Sequence, residues 1–126
     1  MEQNGIISGF TNDSDASFIW TVTGIPFGAT IASAKFQIKP TETSPDSAVI
    51  ISKNVTGTDS AGVGQVEDDG ATDLIGRIRF DMIPANSALL IPGTQYAYWV
   101  QITLNSGQKT TLEKGQIFTE QGLLHA

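Results

Sequence analysis

Apolar residues recur at every second position of this chain, and this period constrains its fold more than any other feature. Apolar and polar residues alternate strictly over residues 77–82, and a longer alternation covers residues 96–104. Because successive side chains of a β-strand point to opposite faces of a sheet, this period predicts strands that each bury one face. Shorter runs of the same kind predict strands at 18–22, 35–39, 48–53 and 116–120.

The segments between these runs carry turn residues. Gly, Pro and Asn cluster at 24–28, 40–46 and 105–108, and residues 84–90 could form one helical turn. Short strands joined by such turns predict an antiparallel sandwich or barrel of about seven strands. We predict one domain over 1–126, with short flexible termini and a mobile loop at 57–73, where glycines and acidic residues leave little to bury. A short strand near residues 63–66 could interrupt this loop.

The alternation also assigns faces to single residues. Ile78, Phe80 and Met82 are expected to face the core, whereas Arg77 and Arg79 are expected to face water. We therefore expect Ile78→Ala to destabilise the fold and Arg79→Ala to have little effect.

Residues 90–96, with the sequence Leu-Ile-Pro-Gly-Thr-Gln-Tyr, form the most specific string in the chain. Leu90 would fill the core, Pro92 and Gly93 would make a turn, and the hydroxyl of Tyr96 would bond to an upstream backbone group. This string resembles the tyrosine corner of immunoglobulin-like and fibronectin type III-like domains. The resemblance favours an immunoglobulin-like β-sandwich, although Pro-Gly as a simple turn and Tyr96 as a core aromatic residue remain the alternative.

Composition excludes several kinds of chemistry. The 126 residues include no cysteine and one histidine, His125, so a disulfide scaffold and a thiolate site are ruled out. The net charge of -6 argues against binding to a nucleic-acid backbone. We expect no enzyme activity, no cofactor and no membrane contact, and the N-terminus suggests a protein made in the cytosol.

Four acidic residues in the 57–73 segment are weak candidates for a calcium site, because calcium prefers carboxylate and carbonyl oxygens. These residues do not follow the spacing of a known calcium loop, so solvated surface carboxylates are the better interpretation. They are Glu67, Asp68, Asp69 and Asp73.

Trp99 is the residue that most favours a binding role. If Tyr98 and Val100 face the core, then Trp99 faces outward with Gln101 and Thr103, where a tryptophan can anchor a protein interface. The apolar pair Leu123 and Leu124 near the C-terminus could belong to the same interface. Two alternatives stay open, in which Trp99 is covered by the chain's own loop or stacks on a sugar ring.

A wider resemblance covers residues 15–119, through the order and spacing of several loose pieces. These are the segments 18–20, 24–26, 34–39, 76–80, 92–102 and 106–110, and a final strand after Gly115. In this order the chain resembles the immunoglobulin-like N-terminal domain of tailed-phage baseplate upper proteins and related phage structural proteins.

The resemblance implies a non-enzymatic structural protein of a virion that is assembled in the host cytoplasm. Its partners would be other virion proteins and copies of itself, in a capsid decoration, neck, tail or baseplate. Baseplate proteins of this type continue into receptor-binding parts, whereas this sequence stops at Ala126, which favours an accessory role. A carbohydrate-binding or adhesion module is the alternative.

Overall fold

The protein is described by a computed structural model over residues 3–7 and 15–120. Within these residues, two helical turns, a 3₁₀ turn at Asp46–Ala48 and α1 at Pro84–Ser87, occur among strands and loops. The strands are β1 (Gln3–Ile7), β2 (Ala16–Val22), β3 (Ile31–Lys39), β4 (Ile51–Val55), β5 (Gly64–Asp69), β6 (Gly76–Met82), β7 (Tyr96–Leu104) and β8 (Lys109–Ile117). Within the described part of the chain, no helix is both long and apolar enough to cross a membrane.

Seven strands form two antiparallel sheets that pack face to face. The smaller sheet has the order β2-β6-β5, and the larger has the order β4-β3-β7-β8, with β1 added in parallel beside β8. This division matches strands B, E and D against strands C, F and G of an immunoglobulin domain, with β4 as an additional strand next to C. The predicted immunoglobulin-like β-sandwich is confirmed.

The core lies between the sheets and is centred on Phe36 of β3. Its ring lies 5.5 Å from the ring of Phe80 and 6.0 Å from the rings of Trp20 and Tyr98. The alternation assigned these faces correctly, because Phe36, Phe80 and Tyr98 are all fully buried. Edge-to-face and tilted aromatic contacts of this kind add to the stabilisation that burial alone provides.

A carboxylate from β8 links the two sheets at one side of this core. The indole N–H of Trp20 in the smaller sheet donates a hydrogen bond of 3.0 Å to Glu113, and the hydroxyl of Tyr98 in the larger sheet donates one of 2.6 Å to the same oxygen. Burial of Tyr98, and then its hydrogen bond to Glu113 and the negative charge there, raise the pKa of the phenol well above its ordinary value.

The connection from β6 to β7 has the geometry of a tyrosine corner. The backbone N–H of Ile91 donates a hydrogen bond of 2.9 Å to the hydroxyl of Tyr96, and Leu90 is fully buried. Gly93 adopts a positive φ of 79° in the turn after Pro92, and its N–H bonds to the carbonyl of Thr119. The corner is therefore held from β7 and from the segment that follows β8.

The predicted loop over 57–73 contains a strand, β5, at Gly64–Asp69, which overlaps the short strand expected near residues 63–66 and extends three residues beyond it. Its single large apolar side chain, Val66, is buried against the core, and β5 pairs with β6 along its length. The side chain of Glu67 pairs with Arg77 and Arg79 of β6, whereas Asp68 and Asp69 accept hydrogen bonds from backbone N–H groups of the following turn.

Arg79 of β6 faces outward as expected, but it is not a solvated charge. Its side chain is only 20% exposed, and its guanidinium contacts the carboxylates of Asp59, Glu67 and Asp81 at 2.6, 2.7 and 3.1 Å. One cation therefore links β5, β6 and the segment after β4, and we expect a larger effect of Arg79→Ala than the alternation alone predicts.

Candidate binding face around Trp99

The outer surface of the larger sheet places Trp99 at its centre, because β7 lies between β3 and β8. The register sets Gln37 of β3 and Lys114 of β8 directly beside Trp99. We call the outward positions of the four antiparallel strands the Trp99 face. Its residues are Ser33, Lys35, Gln37, Lys39, Ser52, Asn54, Ala97, Trp99, Gln101, Thr103, Lys109, Thr111, Lys114 and Gln116.

The charge of the Trp99 face differs from that of the whole chain. Acidic residues outnumber basic ones 13 to 7 in the sequence, yet the Trp99 face as just defined has four lysines and no Asp or Glu. Lys35 and Lys39 lie on β3, and Lys109 and Lys114 lie on β8. An aromatic side chain surrounded by lysines and amides can stack, donate hydrogen bonds and attract an anionic partner.

The loop after β3 brings two carboxylates to the border of this face. Asp46 accepts a hydrogen bond of 2.6 Å from the ammonium of Lys39, and this bond, followed by the positive charge of Lys39, holds the pKa of the Asp46 carboxyl below its ordinary value. Glu42 contacts the ammonium of Lys114 at 3.1 Å. The Lys39 ammonium also lies 5.1 Å from the centre of the Trp99 ring, which is a cation–π distance.

A groove of about 550 Å³ lies between the loop at 40–42 and the β7–β8 part of the face. Trp99 lines it together with Gln95, Gln116, Thr41 and the ion pair of Glu42 with Lys114. A smaller cavity of about 140 Å³ lies on the other side of Trp99, beside Lys35 and Gln101. The half-buried tryptophan thus separates two concave regions on one sheet surface.

A bulge in β8 determines which of its side chains reach this face. Val100 pairs with Glu113 and Gln101 pairs with Thr111, so Leu112 is an extra residue in β8. The insertion lets both Thr111 and Lys114 point outward, and it turns Glu113 toward the core. Strict alternation along β8 cannot reveal either position, so sequence reasoning missed the roles of Lys114 and Glu113.

The other predicted interface residues divide into two groups. Gln101 and Thr103 lie half-buried on the Trp99 face, next to Trp99 along β7. Leu123 and Leu124 lie outside the described residues. The open question of whether the chain covers Trp99 has a partial answer, since Lys39 lies over the ring and the groove beside it stays open.

The four acidic candidates for a calcium site do not converge on one point. Glu67 pairs with Arg77 and Arg79, while the carboxylates of the other three accept hydrogen bonds from backbone N–H groups two residues ahead. Over residues 3–7 and 15–120, no three His, Cys, Asp or Glu side chains are placed to hold a metal ion. The turn contacts explain why Asp68, Asp69 and Asp73 occur near the end of β5.

Comparison with known proteins adds no family to this description. No protein-family model matches the chain, and no curated protein matches it significantly.

Proposed function

We propose that the protein is a non-enzymatic structural component of a tailed-phage virion, which assembles with other proteins through the Trp99 face. The observation that carries the proposal is the position of Trp99 at the centre of a lysine-rich sheet surface. A tryptophan flanked by grooves is a typical interface anchor, because it buries a large area with little loss of conformational freedom. The virion assignment is supported by the resemblance of the segments at 15–119 to phage immunoglobulin-like domains.

The sandwich would act as a rigid spacer in this role. Its core is closed by the tyrosine corner and by the Glu113 link between the sheets, so the orientation of the Trp99 face is fixed relative to both ends. A rigid surface loses little entropy on docking, which favours repeated contacts in a particle. Capsid decoration, neck, tail and baseplate positions all remain compatible with such a module.

Oxidative footprinting of purified particles tests the proposal directly. Particles of a phage that carries this gene should contain the chain by mass spectrometry, and Trp99 should be oxidised more slowly in the particle than in the free protein. Trp20 provides the internal control, because its half-buried ring faces the core and its oxidation should be equal in both samples. Absence of the chain from particles, or equal oxidation of Trp99 in both samples, would refute the proposal.

A carbohydrate-binding module is the second candidate, and the groove beside Trp99 favours it. Gln95, Gln116 and Thr41 could hydrogen-bond sugar hydroxyls there while the indole ring stacks on a pyranose. The ammonium of Lys39 weighs against this role, since it already lies over the Trp99 ring. Glycan-array binding that Trp99→Ala abolishes and Ile19→Ser leaves intact would support this second function over assembly.

A further inference from the structure

One end of the sandwich combines exposed apolar residues with carboxylates. Phe27, in the loop between β2 and β3, is 95% exposed, and Ile75, just before β6, is 44% exposed. Both lie at the same end because the end of the Ile25 side chain packs against Gly70 and Gly76. The loop that carries Phe27 therefore rests on the turn that carries Ile75.

Three carboxylates lie at the same end of the sandwich. Asp68 and Asp69 end β5, and Asp73 lies in the turn between β5 and β6. Their hydrogen bonds go to backbone N–H groups of Gly70, Ala71 and Ile75, and no arginine or lysine of the described residues forms an ion pair with them. We call Phe27, Asp68, Asp69, Asp73 and Ile75 the acidic tip.

The acidic tip and the Trp99 face are complementary in two respects. The tip combines an exposed aromatic ring with three carboxylates at the same end, and the Trp99 face combines a groove beside an aromatic ring with four lysines, of which Lys39 and Lys114 also contact Asp46 and Glu42. The groove beside Trp99 measures about 550 Å³, which is ample for a phenylalanine side chain. The two surfaces consist of different residues, so a single chain can use both at once.

We propose that the Trp99 face binds the acidic tip of a second copy of this chain. The contact is heterologous, since the two partners contribute different surfaces. Repeated contacts of this type produce a closed ring when the rotation between copies closes, and an open filament when it does not. The inference extends the proposed function by naming a partner, and it depends on that function only in using the same face.

The charges give the contact a defined salt dependence. Opposite charges at the rim accelerate and stabilise association, and salt screens charges that are separated by more than about 10 Å at 0.1 M ionic strength. Sedimentation velocity over a concentration series should therefore show association that weakens about tenfold between low and high salt. A chain that stays monomeric at about 1 mM in low salt, or that associates more strongly as salt increases, would overturn the proposal.

Two variants distinguish a heterologous contact from a symmetric one. Trp99→Ala removes the anchor of the face and Phe27→Ser removes the anchor of the tip, and each alone should weaken association by about 30-fold, as expected for a hot-spot residue. A mixture of the two variants should form a one-to-one pair and nothing larger, because the intact tip of one can dock on the intact face of the other. A symmetric face-to-face dimer would instead survive Phe27→Ser and give no pair in the mixture, which would overturn the proposal.

Ile19→Ser is the matched control for Phe27→Ser. Ile19 is 48% exposed on the outer surface of the smaller sheet and belongs to neither surface, so its replacement should leave association unchanged. Equal weakening by Ile19→Ser would show that the effect is general and would overturn the proposal. Protection of Trp99 in particles together with a monomeric free chain would reject self-association and leave the proposed function standing.

Discussion

At the residue scale, one hydroxyl closes the connection between β6 and β7. We expect Tyr96→Phe to lower the free energy of unfolding by about 1 kcal/mol, because the partly buried N–H of Ile91 loses its acceptor while the apolar packing is kept. Urea unfolding followed by tryptophan fluorescence measures this difference. An unchanged unfolding midpoint would mean that the Pro92-Gly93 turn holds the corner without the hydroxyl.

The outward position of Trp99 was predictable, because β7 alternates without interruption from Tyr96 to Leu104. The charged side chains beside Trp99 were less predictable. Lys39 comes from the last residue of β3 and Lys114 comes from beyond the bulge at Leu112. A bulge depends on how two strands pair, and a period read along one strand contains no information about its partner.

At the element scale, β6 carries a core side chain, Ile78, and a side chain at the centre of several ion pairs, Arg79. Two substitutions distinguish their contributions to stability. Ile78→Ala should destabilise by about 2–5 kcal/mol because it leaves a cavity at a fully buried position. Arg79→Ala should cost about 1 kcal/mol, since three partly exposed carboxylates lose their shared cation.

Chemical denaturation with urea at low and high salt checks both values. The cost of Arg79→Ala should shrink in high salt, whereas the cost of Ile78→Ala should not, because salt screens ion pairs and has little effect on a cavity. A salt-insensitive loss for Arg79→Ala would show that its aliphatic stem, and not its charge, stabilises β5.

The strand β5 was difficult to predict in full from the sequence. A strand buried on one face normally shows several alternating apolar residues, but β5 has only Val66 buried among large side chains. Its stability comes from pairing with β6 and from two arginines of that strand, Arg77 and Arg79, which pair with Glu67 from further along the chain. Charged edge strands of this type also resist unwanted pairing with other chains.

At the scale of the whole molecule, the sandwich replaces a disulfide with aromatic packing and a shared carboxylate. In immunoglobulin domains the second cysteine lies two residues after the corner tyrosine, and Tyr98 occupies that position here. It reaches Trp20 of the opposite sheet through Glu113, which binds both. The fold class could be predicted from the strand period and the tyrosine corner. The link through Glu113 could not be predicted, because it needs three residues that are distant in the sequence and the bulge in β8.

The link between the sheets makes stability depend on alkaline pH. The pKa of Tyr98 is higher in the folded chain than its ordinary value of 10.0, so folding favours the protonated phenol. Its contribution is complete below that ordinary value and is lost as the pH rises above it toward the folded pKa. Above about pH 10 the free energy of unfolding should fall, with a limiting slope of about 1.4 kcal/mol per pH unit from this single proton.

Two variants test whether Tyr98 causes this pH dependence and how much of it comes from Glu113. Tyr98→Phe should remove this part of the slope entirely, whatever it does to stability at neutral pH. Glu113→Gln should remove only a part, because burial is the largest cause of the raised pKa and the hydrogen bond and charge of Glu113 come after it. Lys53 also has an altered pKa, lowered by burial, but it is present in all three proteins and cancels in the differences between their slopes. Identical slopes for the parent chain and Tyr98→Phe would mean that the phenol ionises as freely in the folded chain as in the unfolded one, and that the link at Glu113 stays open to water.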